Sequence, residues 1–73
     1  MNHKKTLDKK RVGLNLYHAI QKAGYTYEDI AEYLNLASPR VIYAWMSGEK
    51  LPSIENLWNL SFLLQVKMED ILS

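Results

Sequence analysis

The sequence of 73 residues predicts a compact all-α domain of five helices, and three observations lead to this fold class. Apolar residues recur at spacings of three and four in successive segments. No segment alternates between apolar and polar residues, as a half-buried strand would. Glycine, proline and capping residues separate the segments. A chain of this length folds as one domain and buries about 60% of its extended surface, so each large apolar residue should have a place in the packing.

The first helix is expected between Leu7 and Ala23, and Gly24 would end it as a left-handed C-terminal cap. Its inward residues recur at helical spacing: Val12, Leu16, Ala19 and Ile20. The second helix starts at a capping-box pattern, in which Thr26 and Asp29 exchange hydrogen bonds between side chain and backbone. Its inward residues are Ile30, Ala31 and Leu34. It should end at Asn35, because asparagine enters the left-handed conformation at low cost.

The third helix is expected over about residues 38–47. Ser38 is a suitable N-cap, and Pro39 fits the first helical position because its missing N–H costs nothing there. Gly48 supplies a left-handed cap, and Pro52 prevents the helix from continuing. Its two large inward residues are Ile42 and Trp45. Because they are three positions apart and share a face, core packing of Trp45 is favoured over a base-stacking role.

Ser53 would cap the fourth helix. Its inward stripe is expected to contain Ile54, Leu57, Leu60, Ser61 and Leu64. The last residues, VKMEDILS, predict a short fifth helix with three inward residues: Val66, Ile71 and Leu72.

Only residues 35–38 separate Leu34 from Pro39, and so short a link forces a steep crossing of two helices instead of an antiparallel hairpin. That arrangement is a helix-turn-helix. The residues left on the outer face of the third helix are Arg40, Tyr43 and Ala44.

Together these features resemble the Cro and phage-repressor type of helix-turn-helix protein, also called the xenobiotic-response-element family. The matching residues are Thr26, Ile30, Ala31, Leu34, Ile42, Trp45, Gly48, Pro52 and Ser53, with the blocks LPSIENLWNLSFLLQV and MEDIL. The resemblance covers roughly residues 11–72. It implies a lambda-repressor-like fold whose third helix lies in the DNA major groove.

By position, the resemblance also implies which residues contact DNA. The base-reading surface would be Ser38, Pro39, Arg40, Val41, Tyr43 and Ala44, and the phosphate contacts would be Tyr27 and Lys50.

Tyr27 stands where many relatives have glutamine, although a phenol can still donate to a phosphate. Asn35 replaces a frequent glycine, and the turn is one residue longer than in the best-known repressors. An arginine fork matches the O6 and N7 atoms of guanine, so guanine is the expected target of Arg40.

Basic charge is concentrated at the N-terminus. Residues 1–11 hold five lysines and arginines against one acid, which gives +4, whereas the other 62 residues hold four against seven, which gives −3. We therefore divide the chain into a basic N-terminal arm, residues 1–10, and a helix-turn-helix DNA-binding domain, residues 11–73. Such an arm can follow a phosphate backbone or simply keep a terminus solvated.

Three apolar residues of the fourth helix fall outside its predicted inward stripe: Trp58, Phe62 and Leu63. They form a candidate self-association surface, because a two-fold dimer would place two third helices about one DNA turn, roughly 34 Å, apart. A homodimer, at least on DNA, is therefore expected. The alternative is that these side chains pack against the first helix or the arm.

Several other functions find no support. The chain has no cysteine and its two histidines are too far apart to form a ligand pair, so no metal site is expected. Its three glycines are scattered and form no phosphate-binding loop, and neither a cofactor nor enzymatic activity is expected. No apolar run is long enough for a membrane span or a secretory signal, which predicts a cytoplasmic protein.

The sequence therefore predicts sequence-specific binding of double-stranded DNA by a small transcriptional regulator. Repression is favoured over activation, because a repressor needs only to occupy its site. Two alternatives stay open. One is an antitoxin or phage control protein that binds DNA and also a protein partner through the Trp58 and Phe62 flank. The other is a helical adaptor that binds only protein, which the net charge of only +1 favours.

Overall fold

The computed structural model describes residues 4–73 and contains five α-helices in this range. The helices are α1 (Lys9–Ala23), α2 (Tyr27–Tyr33), α3 (Arg40–Met46), α4 (Ile54–Leu64) and α5 (Met68–Leu72). No strand occurs among these residues, so the predicted all-α fold with five helices is confirmed.

The N-terminus of α1 is set by Asp8, whose carboxylate accepts hydrogen bonds from the backbone N–H groups of Lys10 at 3.1 Å and Arg11 at 3.3 Å. The helix therefore begins at Lys9, and the last two residues of the predicted arm are helical. Residues 4–8 are exposed and lie outside any helix. The predicted arm also includes residues 1–3, which lie outside the described residues.

The predicted capping box of α2 and its left-handed Asn35 are confirmed, although the helix ends at Tyr33 with Leu34 as its C-cap. The Thr26 hydroxyl accepts from the backbone of Asp29 at 3.0 Å, and the Asp29 carboxylate accepts from the backbone of Thr26 at 3.3 Å. Asn35 has a φ of 60°, and the next residue, Leu36, donates its N–H to the Ala31 carbonyl at 2.8 Å. The chain thus turns sharply out of α2, as a helix-turn-helix requires.

The start of α3 differs from the prediction by one residue. Pro39 is the N-cap and not the first helical residue, while the Ser38 hydroxyl accepts from the Arg40 N–H at 3.3 Å. The Pro39 carbonyl accepts from Ile42 at 2.9 Å and from Tyr43 at 3.3 Å, so the first turn is tightened toward 3₁₀ geometry. Ser38 still satisfies a free N–H of this turn.

All five helices contribute to one apolar core, which contains no buried polar or charged side chain among residues 4–73. Its members are Val12, Leu16, Ile20, Ile30, Ala31, Ile42, Trp45, Leu57, Leu60, Leu64 and Ile71. The exposed fraction of Trp45 is 2%, which confirms its assignment to packing. The core holds the back of α3 and leaves its other face outside.

Two predictions about α4 were wrong. Ile54 was expected in the inward stripe but is 77% exposed, whereas Leu63 was expected on the outer flank but is half-buried and packs against the core. These two side chains project from opposite sides of α4, because they are about two and a half turns apart. The flank of Leu63 faces the end of α1, where it lines a depression with Ala19 and Ala23. The opposite flank, which carries Ile54, remains exposed.

Candidate nucleic-acid interface

The outer face of α3 points away from the core. Ile42 and Trp45 are buried on its inner side, whereas Arg40 is exposed and Tyr43 is 48% exposed on its outer side. This division follows from the helical period, because residues three apart share a face and those between them do not. Ser38, just before the helix, is also exposed.

The remaining predicted base-reading residues are only partly accessible. Pro39, Val41 and Ala44 are half-buried, and Val41 also packs against the core. They can therefore offer a limited apolar surface beside the exposed side chains of Arg40 and Tyr43.

The loop after α3 folds back onto the last turn of the helix. The Ala44 carbonyl accepts from the backbone N–H of Glu49 at 2.9 Å and of Lys50 at 3.4 Å. Gly48 has a φ of 83°, in the left-handed region that glycine adopts freely, and this conformation allows the reversal. Lys50 is consequently exposed next to the outer face of α3.

Together α3 and this loop form one open groove. Its lining residues are Leu36, Ala37, Ser38, Arg40, Val41, Tyr43, Ala44, Ser47, Glu49 and Lys50. The floor is mainly apolar, and two cations stand against a single carboxylate, that of Glu49. The structure thus brings six of the eight predicted DNA-contacting residues to one groove, and the other two, Pro39 and Tyr27, lie outside its lining.

Tyr27 is the first residue of α2, and its side chain is half-buried between two partners. Its hydroxyl oxygen accepts a hydrogen bond from Gln21 Nε2 of α1 at 3.1 Å. Its ring meets the ring of Tyr43 edge to face, with centroids 5.2 Å apart and planes at 74°. Tyr27 is therefore linked to the outer face of α3 even though it does not line the groove.

The acidic residues of α2 lie beside the start of α3. The carboxylates of Glu28, Asp29 and Glu32 line a shallow depression together with residues 37–39. All three are exposed, and the carboxylate of Asp29 is also engaged in the capping box. Charges of both signs therefore surround α3: the carboxylates of α2 and Arg40 lie near its first turn, and Glu49 and Lys50 lie near its last.

Comparison with known proteins identifies this arrangement. Residues 16–71 match the family model HTH_3, described as helix-turn-helix. The chain belongs to this family. It is a DNA-binding domain of the Cro/C1 type found in transcriptional regulators, and it is not an enzyme. No curated protein sequence matches the chain.

Three solved structures are similar to this helix-turn-helix domain. The clp gene regulator ClgR from C. glutamicum has a TM-score of 0.77 and 25% identity, over 93% of this chain and 87% of that chain. The restriction-modification controller protein C.AhdI from Aeromonas hydrophila has a TM-score of 0.76 and 19% identity, over 88% and 91%. The DNA-binding domain of BldD has a TM-score of 0.73 and 16% identity, over 90% and 94%.

The start of α1 lies against the loop that follows the helix-turn-helix. A Cβ atom built on Gly48 would lie 3.0 Å from Lys10 Cα and 2.8 Å from Lys10 Cγ. Lys10 is therefore adjacent to the loop that carries Lys50. This contact is not predictable from the sequence, because no local pattern relates residues so far apart in the chain.

The outer face of α4 carries three exposed apolar side chains at successive intervals of four residues. The exposed fractions are 77% for Ile54, 64% for Trp58 and 79% for Phe62. We call these three residues the α4 stripe. It differs from the predicted self-association surface because Ile54 replaces Leu63.

Within residues 4–73, no group of three or more histidine or acidic side chains is placed to hold a metal ion. In the same range, no helix is both long and apolar enough to cross a lipid bilayer.

Proposed function

We propose that the chain binds a specific site in double-stranded DNA by inserting the outer face of α3 into the major groove, and that it acts as a repressor. The observation that supports this proposal is the exposure of Arg40 and Tyr43 along an open groove that no other part of residues 4–73 covers. Repression requires only that the bound protein occupies its site, so the DNA-binding face is sufficient for it.

Base reading is assigned to the exposed side chains of α3. Arg40 can donate two hydrogen bonds to one guanine, and Tyr43 can contact a base or a sugar one turn further along. Ser38 can donate or accept at the leading end of the helix, beside Pro39. Val41 and Ala44 offer apolar contact of the kind that a thymine methyl group prefers. This set supplies sequence discrimination.

Phosphate contacts are assigned to residues on either side of α3. Lys50 stands beside the last turn of α3, and the Tyr27 hydroxyl keeps its own proton free because it accepts from Gln21. Lys10 adjoins the same loop as Lys50, so it extends the positive surface beyond the helix-turn-helix. These contacts supply affinity for any sequence.

Arg40→Ala is expected to lower discrimination without unfolding the protein, because Arg40 is exposed and contributes nothing to the core. A bidentate contact to guanine contributes about 1 to 3 kcal/mol, so the ratio of affinities for selected and random duplexes should fall about 5- to 150-fold. A selected duplex is obtained from a random pool, and fluorescence anisotropy then gives both affinities. An inverted repeat in the selected sequences would also reveal two-fold symmetry.

Lys50→Ala is the matched control, since it removes a cation from the same groove. It should lower the affinity for both duplexes by the same factor. The slope of log affinity against log salt concentration should become shallower by about one, the contribution of one phosphate contact. An unchanged ratio in Arg40→Ala would show that the base-reading face is assigned wrongly. Duplex binding that does not respond to salt would instead favour a protein-binding adaptor, because phosphate contacts give a slope of roughly −0.9 per phosphate.

We also propose that the α4 stripe pairs two copies of the chain. Aromatic side chains carry about 150 to 250 Å² each, so the exposed parts of the stripe offer on the order of 400 Å² per chain. Two copies would bury roughly 800 Å² through the stripe alone, and its polar surroundings would bring the total toward the roughly 1,200 Å² of a small specific interface. The largest exposed apolar patch of a typical monomer measures about 300 to 600 Å² and is often functional, and the α4 stripe falls in this range.

Phe62→Glu is expected to abolish this pairing, because each copy would bury an unpaired carboxylate in an apolar interface. The monomer should stay folded, since Phe62 is 79% exposed. Sedimentation equilibrium on the protein alone and on its selected duplex measures the stoichiometry. Leu14→Glu, at an exposed position of α1 outside the stripe, is the control and should leave the dimer intact. A Phe62→Glu protein that dimerises as the parent does would exclude the stripe as the interface.

A further inference from the structure

Tyr27 and Tyr43 connect the start of α2 to the outer face of α3. Their edge-to-face contact, at 5.2 Å between centroids, is the geometry that aromatic rings prefer. Tyr43 is about half exposed, so one part of its ring rests against Tyr27 while the other part faces solvent. The direction in which Tyr43 projects is therefore limited by a residue of another helix.

Tyr27 is itself held from a third helix. Gln21 Nε2 on α1 donates to the Tyr27 hydroxyl oxygen at 3.1 Å, which fixes the phenol and leaves its proton available to a further acceptor. A donor on the oxygen also polarises the O–H group and makes it a stronger donor. Gln21, Tyr27 and Tyr43 thus form a continuous chain of contacts across α1, α2 and α3.

We propose that Tyr27 is a positioning residue for DNA sequence selectivity: its ring holds Tyr43 in the orientation that reads a base, while its hydroxyl contacts a backbone phosphate. The inference rests on the proposed reading role of Tyr43. An exposed tyrosine samples several rotamers and loses that freedom on binding. Contact with Tyr27 restricts Tyr43 before DNA arrives, so less freedom is lost at the cognate site.

The two roles of Tyr27 separate in two substitutions. Tyr27→Phe keeps the ring and removes the hydroxyl, so affinity should fall about three- to tenfold for selected and random duplexes alike, with their ratio unchanged. Tyr27→Leu removes the ring as well, and the ratio itself should fall about two- to tenfold, the range that an aromatic pair supplies. Tyr33, the exposed tyrosine at the other end of α2, is the matched control, and neither Tyr33→Phe nor Tyr33→Leu should change the ratio.

A double-mutant cycle tests whether Tyr27 acts through Tyr43. In a Tyr43→Ala background, adding Tyr27→Leu should lower the ratio no further, because the side chain that Tyr27 positions is already absent. An equal fold-change in both backgrounds would overturn the inference. Nuclear magnetic resonance of the free proteins provides a second readout: Tyr27→Leu should increase the rotamer averaging of Tyr43, and unchanged averaging would also overturn it. Circular dichroism establishes that each variant is folded.

Gln21→Met tests the third member of the chain. It removes the amide donor and keeps a side chain of similar length, so it should weaken both duplexes equally and add nothing to the effect of Tyr27→Phe. Fully additive effects of the two substitutions would show that Gln21 does not act through the phenol.

The outcomes separate this inference from the proposed function. If Arg40→Ala and Tyr43→Ala both lower the ratio but Tyr27→Leu does not, the positioning role is wrong and the base-reading face stands. If neither Arg40→Ala nor Tyr43→Ala changes the ratio, the base-reading face is wrong and the positioning role falls with it.

Discussion

Trp45→Ala is expected to destabilise the domain by about 3 to 5 kcal/mol, the cost of removing a large aromatic side chain from a packed core. The exposed fraction of Trp45 is 2%, and this residue anchors the inner face of α3. At about 0.05 to 0.15 kcal/mol per residue, a domain of this size has a free energy of unfolding of roughly 4 to 11 kcal/mol. The substitution therefore removes a large part of the total, and urea unfolding followed by circular dichroism measures it.

Trp58→Ala is the matched control, because it removes the same side chain from a position that is 64% exposed. Its effect on the stability of the monomer should stay within about 0.5 kcal/mol, as for most surface substitutions. Both variants need to be measured at several protein concentrations, since the loss of a dimer would otherwise be counted as a loss of monomer stability. Equal destabilisation by the two substitutions would contradict the burial that distinguishes these tryptophans.

Most helix boundaries were predictable because they depend on residues that are close in sequence, although α1 begins at Lys9 and not at Leu7, and α3 begins one residue later than expected. The capping box of Thr26 and Asp29, the left-handed Gly24 and Asn35, and the Ser53 cap all involve groups within a few positions of one another. Such local hydrogen bonds need no knowledge of the tertiary structure.

The two wrong predictions in α4 have a different cause. Helical spacing shows which apolar residues share a face, but it does not show which flank of that face another helix covers. Leu63 packs because the end of α1 lies on its side, and Ile54 is exposed because it lies on the other side. That information is contained in the packing of α1 against α4 and not in the sequence of α4.

At the candidate interface too, the local features were predictable from the sequence and a contact between helices was not. The outward position of Arg40 and Tyr43 was predictable, because the inward pair of Ile42 and Trp45 leaves them no other face. The hydrogen bond of Gln21 to the Tyr27 hydroxyl was missed, since it joins α1 to α2 and no motif marks it. A glutamine six residues before a tyrosine is too common a pattern to identify such a pair.

Gly13 is the residue whose importance was least visible in the sequence. It lies inside α1, where glycine is unfavourable by about 1 kcal/mol relative to alanine, so local reasoning predicts that Gly13→Ala would stabilise the protein. The structure predicts the opposite. A Cβ at this position would lie 2.5 Å from the carbonyl oxygens of both Trp45 and Met46. Both atoms belong to the backbone of α3, so they cannot move aside as a flexible side chain would.

Gly13→Ala is therefore expected to destabilise the domain by about 2 kcal/mol or more. Overpacking costs about 1 to 3 kcal/mol and occasionally more, and contact with two fixed carbonyl groups belongs at the upper end, so it outweighs the gain in helix propensity. Urea unfolding measures the loss. Because α1 would push away the end of α3 that precedes Lys50, the affinity for the selected duplex should also fall.

Gly24→Asn is the control for the loss of a glycine. Gly24 has a φ of 83°, and no atom beyond its two chain neighbours lies within 4 Å of the place that a Cβ would occupy there. Asparagine tolerates this left-handed conformation, so the cost should stay below about 1 kcal/mol. If Gly13→Ala instead raised the free energy of unfolding, helix propensity would have prevailed. The close crossing of α1 over the end of α3, which fixes the orientation of the proposed base-reading helix, would then be wrong.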